Sequence, residues 1–220
     1  MGSSIPKQFL PLGGKPVAGY SIEAFESSDK ISDIVIVCHE AHLSRMENIV
    51  LAAKAKKVRK LIAGGETRQG SSLIGLENCS RGTEYVLIHD AARPFLTNSL
   101  IEDLLAKAES VGASGPVIDL SDTVVEIGDG LVKSIPSRDI LKRVQTPQAF
   151  KYDIILKAHK KAMAKGITSA SDDCALVLCN NGKVGFVQGS EENMKITSAL
   201  DMEIAEIILS RRKDPIKRLC

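Results

Sequence analysis

The sequence predicts an α/β chain: a mostly parallel sheet flanked by helices, from which a β-hairpin arm projects. Three observations predict it. Short apolar runs alternate with amphipathic stretches of helical period, the pattern of βαβ units. One such run, Tyr85–Ile88, leads directly into His89-Asp90-Ala91-Ala92-Arg93-Pro94, so a buried strand delivers a carboxylate and a guanidinium to one end of the sheet. Further on, Thr123–Ile127 and Leu131–Ile135 flank Gly128-Asp129-Gly130, alternating residues about a Gly-rich turn.

Taken in order, Asp33–Cys38 reads as a buried strand, and His42–Ala53 as a helix with Leu43, Met46, Ile49 and Val50 on its apolar stripe. Val58–Ile62 is a short strand, Gly64-Gly65 a turn, and Thr67–Cys79 a helix burying Leu73, Ile74 and Leu76. After Tyr85–Ile88 comes a helix over Ser99–Ser110, with Ser99 and Glu102 spaced as a capping box and Leu100, Ile101, Leu104, Leu105 and Ala108 on one face. The hairpin departs from this rhythm and must pack somewhere; reaching onto a second subunit is one solution. Tyr152–Lys165 is an amphipathic helix with a lysine-rich outer face. Ser171-Asp172-Asp173 opens a helix that buries Ala175, Leu176 and Leu178, and Val184–Val187 is a strand. Leu200, Ile204, Ile207 and Ile208 line the last helix, which runs into a basic, solvated end at Arg211–Arg218. With no internal repeat or linker, residues 1–220 read as a single domain, and 122–138 as an arm within it.

Composition narrows the partners. The 29 Lys and Arg nearly balance the 27 Asp and Glu, so no broad cationic field marks a nucleic-acid binder. No apolar stretch is long enough to span a bilayer and no signal peptide is evident, so no membrane association is expected. Cys38, Cys79, Cys174, Cys179 and Cys220 are scattered without a CxxC pair or a nearby histidine cluster, which argues against zinc and for reduced thiols in a cytoplasmic protein.

The residues with chemistry in them are few. In open parallel sheets ligands sit outside the carboxyl ends of the strands, where Asp90 can hold a metal ion and Arg93 can grip phosphate. The alternative is a strand-end aspartate that caps the next turn. Lys7 follows Pro6, whose fixed backbone can present the ammonium at a defined place. Gly64-Gly65-Glu66-Thr67-Arg68 with Ser71 is a Gly-rich turn entering a helix, where backbone amides can meet a polar ligand. Asp122-Thr123 and Arg138 bracket the hairpin, Lys195 precedes the last helix, and Ser171-Asp172 reads as a helix cap or a ligand site. His89 reads as a packing or hydrogen-bonding residue, not a base. Lys7, Arg93, Arg138 and Lys195 around one carboxylate suit phosphoryl or nucleotidyl transfer, in which catalysis is mainly positioning and electrostatic stabilisation.

These pieces, with Met1-Gly2, Gln145-Thr146-Pro147-Gln148, Ser171-Asp172-Asp173 and Asn193 with Lys195-Ile196-Thr197, run nearly end to end, and the chain resembles the 2-C-methyl-D-erythritol 4-phosphate cytidylyltransferases and their ribitol-5-phosphate relatives. The resemblance implies a CTP-dependent enzyme with a Rossmann-like sheet, a Mg²⁺ requirement with Asp90 as the metal residue, and a homodimer joined through the β-arm. It implies that Lys7 stabilises the transition state at the α-phosphate, that Gly65, Glu66 and Ser71 read the cytosine, and that Asp90 and Arg93 face the nucleotide. Thr123 and Arg138 would hold the sugar-alcohol phosphate across the dimer, Lys195 would position that phosphate, and Ser171 belongs to the substrate site.

Three departures from the family pattern stand out. The family's first strand and its Gly-rich phosphate loop, which ends in an arginine, have no counterpart here: either the start is misassigned or trimmed, or this form lacks a central strand, and because a missing central strand would expose its neighbours' edges, an incomplete N-terminus is the favoured reading. Ser171 replaces the usual threonine, and Gly70 the commoner aspartate. Ala91-Ala92 favours methylerythritol phosphate as acceptor, while Ser134-Ile135-Pro136 leans towards ribitol phosphate. The third possibility is a non-catalytic nucleotide-binding dimer.

Overall fold

The computed structural model describes residues 5–213. Helices cover both faces of a Rossmann-like sheet that is parallel apart from two inserted strands. The first elements are a small hairpin, β1 (Pro11–Leu12) and β2 (Lys15–Pro16), followed by α1 (Val17–Ser27). Gly13 turns the hairpin at φ +56, and a Cβ there would lie 2.3 Å from Leu209 Cδ2, so only glycine lets the last helix approach.

Strand β3 (Ile34–Cys38), helix α2 (Leu43–Ala52) and strand β4 (Val58–Ala63) form a βαβ unit whose strands pair in parallel. Then come α3 (Arg68–Glu77), β5 (Tyr85–Ile88), α4 (Asn98–Val111) and β6 (Ala113–Ile118). The arm is β7 (Glu126–Gly128) and β8 (Leu131–Ser134). It is shorter than predicted, since Thr123, Val124 and Val125 lie outside the strand. After β9 (Arg143–Val144) and β10 (Gln148–Lys151) follow α5 (Tyr152–Ala164), α6 (Asp173–Leu178), β11 (Gly185–Gln188) and α7 (Ala199–Lys213).

The larger sheet has the order β11-β6-β10-β5, with β9 paired to β6. Strand β11 runs parallel to β6, whereas β10 is antiparallel to both β6 and β5. Strand alternation distributes the core to either side. Phe150, Val86 and Ala113 join Ile155, Ala158 and Leu176 of α5 and α6 on one face. On the other, Ala149 and Leu87 meet Leu100, Ile101 and Leu104 of α4. Leu12, Phe95 and Ile196 pack with Ala205 and Leu209 of α7 in a separate cluster.

Strand β3 pairs only with β4, and β5 only with β10, among the described residues. Between their other edges lies a cleft of about 980 Å³, lined by both strands, by Ile22 and Phe25 of α1, and by Gly75 of α3. All of β3 is half-buried for this reason, as is all of β5 except Val86, where full burial was predicted.

Other differences are local. Thr97, not Ser99, caps α4, and its hydroxyl accepts from the Leu100 amide at 3.3 Å. Leu178 is exposed, and the buried face of α6 is Asp173, Cys174, Leu176 and Val177. Leu200, Ile204 and Ile207 face solvent, and α7 buries Ala205 and Leu209 instead. Helix α7 carries Arg211 and Arg212 to Lys213; the rest of the predicted basic end, and Cys220, lie outside the described residues.

Candidate active site

The carboxyl end of β5 carries the site. Beyond Ile88 the chain turns through His89 and Asp90, and Thr146 fixes that turn. The Asp90 amide donates to Thr146 Oγ1 at 3.0 Å, and the same oxygen lies 3.3 Å from His89 Nδ1. His89 Nε2 is 3.1 Å from the Arg93 carbonyl oxygen, and its ring meets Phe25 edge-on at 5.4 Å. Burial pushes the imidazole pKa down to about 4, so it is neutral at pH 7. Both ring nitrogens are engaged in holding the turn.

Asp90 is the hub. Lys195 Nζ donates to its Oδ2 at 2.7 Å, and Arg68 Nε stands 3.6 Å from Oδ1. Burial opposes ionisation, but the Lys195 hydrogen bond and charge, aided by Arg68, outweigh it and hold the carboxyl below the usual range. A lysine that looks like a surface residue in the sequence thus meets a carboxylate 105 positions away.

Arg93 is buried and braces the loop that carries Lys195. Its Nη1 donates to the Asn193 carbonyl at 2.7 Å, while Nε has no hydrogen-bond partner. Burial draws its pKa down, against the charge of Asp90. The same loop is pinned by the Ile196 amide on the Ala92 carbonyl (2.9 Å) and by Asn193 Nδ2 on the Thr146 carbonyl (2.9 Å).

The Gly64-Gly65 turn enters α3 as predicted. Thr67 caps the helix by accepting from the Gly70 amide at 3.0 Å, and Ser71 Oγ donates back to the Thr67 carbonyl at 3.0 Å. A Cβ on Gly64 would sit 2.7 Å from Ser71 Oγ. Gly65 and Glu66 are exposed, and Ser71 and Arg68 line the cleft between β3 and β5. Ser171 is exposed just ahead of Asp172, which caps α6 by accepting from the Ala175 amide at 3.3 Å.

The other predicted residues stand apart from the Asp90 contacts. Lys7 opens a 3-10 turn after Pro6 and makes no ion pair among the described residues. Thr123 is exposed at the base of the arm, and Arg138 Nη1 donates to the Ser121 carbonyl at 2.9 Å.

Several residues that build the site carried no assigned role in the sequence reading. Arg68 and Thr146 lay inside quoted motifs without a role. Gln148 Nε2 donates to Asp172 Oδ2 at 2.5 Å, and its Oε1 accepts from the Cys174 amide at 3.3 Å. The signal for these residues was present in Gln145-Thr146-Pro147-Gln148 and Asp172-Asp173, a density of polar residues in a segment the structure buries.

Among the described residues no group of three or more His, Cys, Asp or Glu gathers as a metal site. Asp90 is the single carboxylate the sequence offered for Mg²⁺, an ion that takes one or two carboxylates and completes its shell with water and substrate phosphates, and its two oxygens here face Lys195 and Arg68.

Fold and site together have the make-up of an α/β nucleotidyltransferase. Residues 1–211 match the model of the 2-C-methyl-D-erythritol 4-phosphate cytidylyltransferase family. Two curated enzymes of that name are similar over nearly their whole length. The one from Desulforamulus reducens is 39% identical over 214 residues, covering 96% of this chain and 91% of its own. The one from Syntrophotalea carbinolica is 38% identical over 217 residues, covering 97% and 92%. Among solved structures, the 4-diphosphocytidyl-2C-methyl-D-erythritol synthase of Anaerococcus prevotii superposes with a TM-score of 0.86 at 28% identity, covering 96% of this chain and 92% of that one. The Thermus thermophilus cytidylyltransferase gives 0.77 at 30% identity, covering 93% and 94%. The chain belongs to the 2-C-methyl-D-erythritol 4-phosphate cytidylyltransferase family.

Proposed function

We propose that the chain transfers the cytidylyl group of CTP to 2-C-methyl-D-erythritol 4-phosphate, forming CDP-methylerythritol and pyrophosphate, a step in isoprenoid precursor synthesis. The observation that carries this reading is Asp90, set at the carboxyl end of β5 between Lys195 and Arg68, in a chain that matches the family from residue 1 to 211. The named relatives favour methylerythritol phosphate over ribitol phosphate as acceptor, and a catalytic over a non-catalytic role.

An oxygen of the acceptor phosphate attacks the α-phosphorus of CTP in line, and pyrophosphate leaves. The acceptor is already ionised, so no general base is needed, in keeping with a neutral, half-buried His89. Lys195 holds the acceptor phosphate from the edge of Asp90, and Lys7 offsets charge building at the α-phosphate. Gly65, Glu66 and Ser71 read the cytosine at the mouth of α3, Ser171 belongs to the substrate site, and Arg93 stiffens the nucleotide-facing turn. Mg²⁺, when bound, would be held by Asp90 and would neutralise charge on the triphosphate oxygens.

The whole chain acts as one domain, and 122–138 serves as a dimerisation arm that offers Thr123 and Arg138 to the neighbouring site. The arm's exposed apolar side chains, among them Ile127 at 73% and Leu131 at 71%, support this reading. No helix among the described residues is long and apolar enough to cross a membrane. The free thiols of Cys38, Cys79, Cys174 and Cys179 fit the reducing cytoplasm.

The test is pyrophosphate release from radiolabelled CTP with each sugar phosphate. Turnover with methylerythritol phosphate well above that with ribitol phosphate is expected. Release with neither overturns the reading.

A further inference from the structure

The charges at Asp90 continue into the protein core. Arg68, whose Nε faces Asp90, places its Nη2 2.7 Å from Asp173 Oδ2. Asp173 Oδ1 lies 3.0 Å from His159 Nε2, and these two side chains are 1% and 0% exposed. Burial would raise the Asp173 carboxyl, but the His159 hydrogen bond and the Arg68 charge outweigh it and hold the group ionised. An ionised carboxylate only accepts, so His159 Nε2 carries the proton and donates. Lys195, Asp90, Arg68, Asp173 and His159 thus form one row that runs from the cleft to the interior of α5.

Packing alone gives this row no reason to exist. A buried charged pair is often no more stabilising than apolar side chains of the same volume. Here the hydrogen bonding is also incomplete: His159 Nδ1 and Arg68 Nη1 are buried without a partner, and the Arg68–Asp173 contact is an ion pair out of hydrogen-bond alignment. What the arrangement does achieve is a fixed guanidinium. The charge of Asp173 holds Nη2 of Arg68 from one side, and Nε is turned to Asp90 on the other.

We propose that Asp173, backed by His159, is a positioning residue that fixes the Arg68 guanidinium against Asp90 and so sets the orientation of the site carboxylate. Its effect on turnover rests on the function proposed above; its effect on Arg68 does not.

The experiment follows both. Asp173→Asn removes the charge at nearly constant volume. Leu104→Ala, in the core cluster under α4, supplies a destabilised control outside the row. His159→Gln keeps an N–H donor for Asp173, whereas His159→Leu removes it. The first readout is the Arg68 Nε–H resonance in ¹⁵N-labelled full-length protein, expected to be resolved and slow to exchange in the parent. It should merge with those of exposed arginines in Asp173→Asn and His159→Leu, and persist in Leu104→Ala and His159→Gln. The second readout is kcat/KM, expected to fall roughly 10- to 100-fold in Asp173→Asn and His159→Leu. His159→Gln should stay within about threefold of the parent.

A resonance that persists in Asp173→Asn overturns the proposal whatever the turnover. A lost resonance with kcat/KM within twofold of the parent overturns it too. If Asp173→Asn does not fold, the His159→Gln and His159→Leu pair decides by the same criteria. A parent without turnover but with the expected resonance pattern refutes the proposed reaction and leaves the positioning of Arg68 supported.

Discussion

At the scale of single residues the candidate site pairs one carboxylate, Asp90, with cations drawn from distant parts of the chain. Lys195 and Asp90 were both legible in the sequence as candidates, because a carboxylate at a strand end and a lysine ahead of a helix are recognisable types in recognisable places. Their contact was not, since 105 residues separate them and only the fold brings them together. Arg68 and Asp173 stood in motifs of the sequence without a role and His159 was unmarked, for a related reason: a row of ion pairs leaves no periodicity behind. Lys195→Ala should lower kcat by about 100-fold or more, because it removes the charge proposed to hold the acceptor phosphate in place for attack, while the melting temperature stays within a few degrees. Near-parent turnover in a stopped assay would refute its role. His89 makes a pH prediction. Burial sets its folded pKa at about 4 against 6.5 for a free imidazole, so between these values the unfolded chain binds a proton that the folded chain does not. Stability from this group is fully present above pH 6.5 and declines as the pH falls to 4, by on the order of 2–3 kcal/mol. Urea unfolding of His89→Gln at pH 7 and pH 4.5 should show a smaller pH dependence than the parent; an identical one would exclude His89 as its source.

Elements were legible where local signals agreed with tertiary need. Strands β3, β4 and β5 and helices α2 and α5 announce themselves through β-branched runs or apolar stripes, and they lie within a residue or two of their predicted bounds. Strand β6 gave no such signal because Gly115-Pro116 interrupts it. It is a strand because its small residues let α4 close on the sheet, with Ser114 Oγ donating to the Leu104 carbonyl at 2.7 Å. Strand β10 contributes only Ala149 and Phe150 as an apolar pair, too short a run to distinguish from a loop. The start of α7 holds a capping box that the apolar pattern alone did not disclose. The Ser198 amide donates to Asp201 Oδ2 at 2.7 Å, and the Asp201 amide donates to Ser198 Oγ at 3.1 Å. The Thr197 side chain, followed by the Thr197 and Ser198 amides, draws the Asp201 pKa down to about 2. A depressed carboxyl stabilises above its unfolded pKa, near 3.9, and loses that contribution as the pH falls through about 2. Ser198→Ala should cost about 1 kcal/mol at pH 7 in urea unfolding. Asp201→Asn should flatten the stability profile between pH 4 and pH 2, and a profile parallel to the parent's would rule the cap out as its source.

At the scale of the whole molecule two surfaces matter, the arm and the cleft between β3 and β5. The arm exposes Ile127, Leu131, Val132 and Ile135 together, an apolar surface that a second subunit can cover. Replacing Ile127 and Leu131 together by glutamate should convert a sedimenting dimer to monomer and lower kcat/KM, since Thr123 and Arg138 would no longer reach a neighbour. A parent that sediments as a monomer at micromolar concentration would refute the arm's role. The second surface is the cleft between β3 and β5. Its walls are backbone ladders, each with a row of amide and carbonyl groups facing the gap, and helices close it on both faces. Such a gap is shaped for an extended peptide that is apolar on both sides, as strands buried between two helical layers are. A five-residue β-branched peptide should therefore raise the melting temperature in proportion to its concentration, and a charged peptide of equal length should not. A strand inserted there would pair with both ladders at once, so its binding would couple the stability of the β3–β4 unit to that of the β5 sheet.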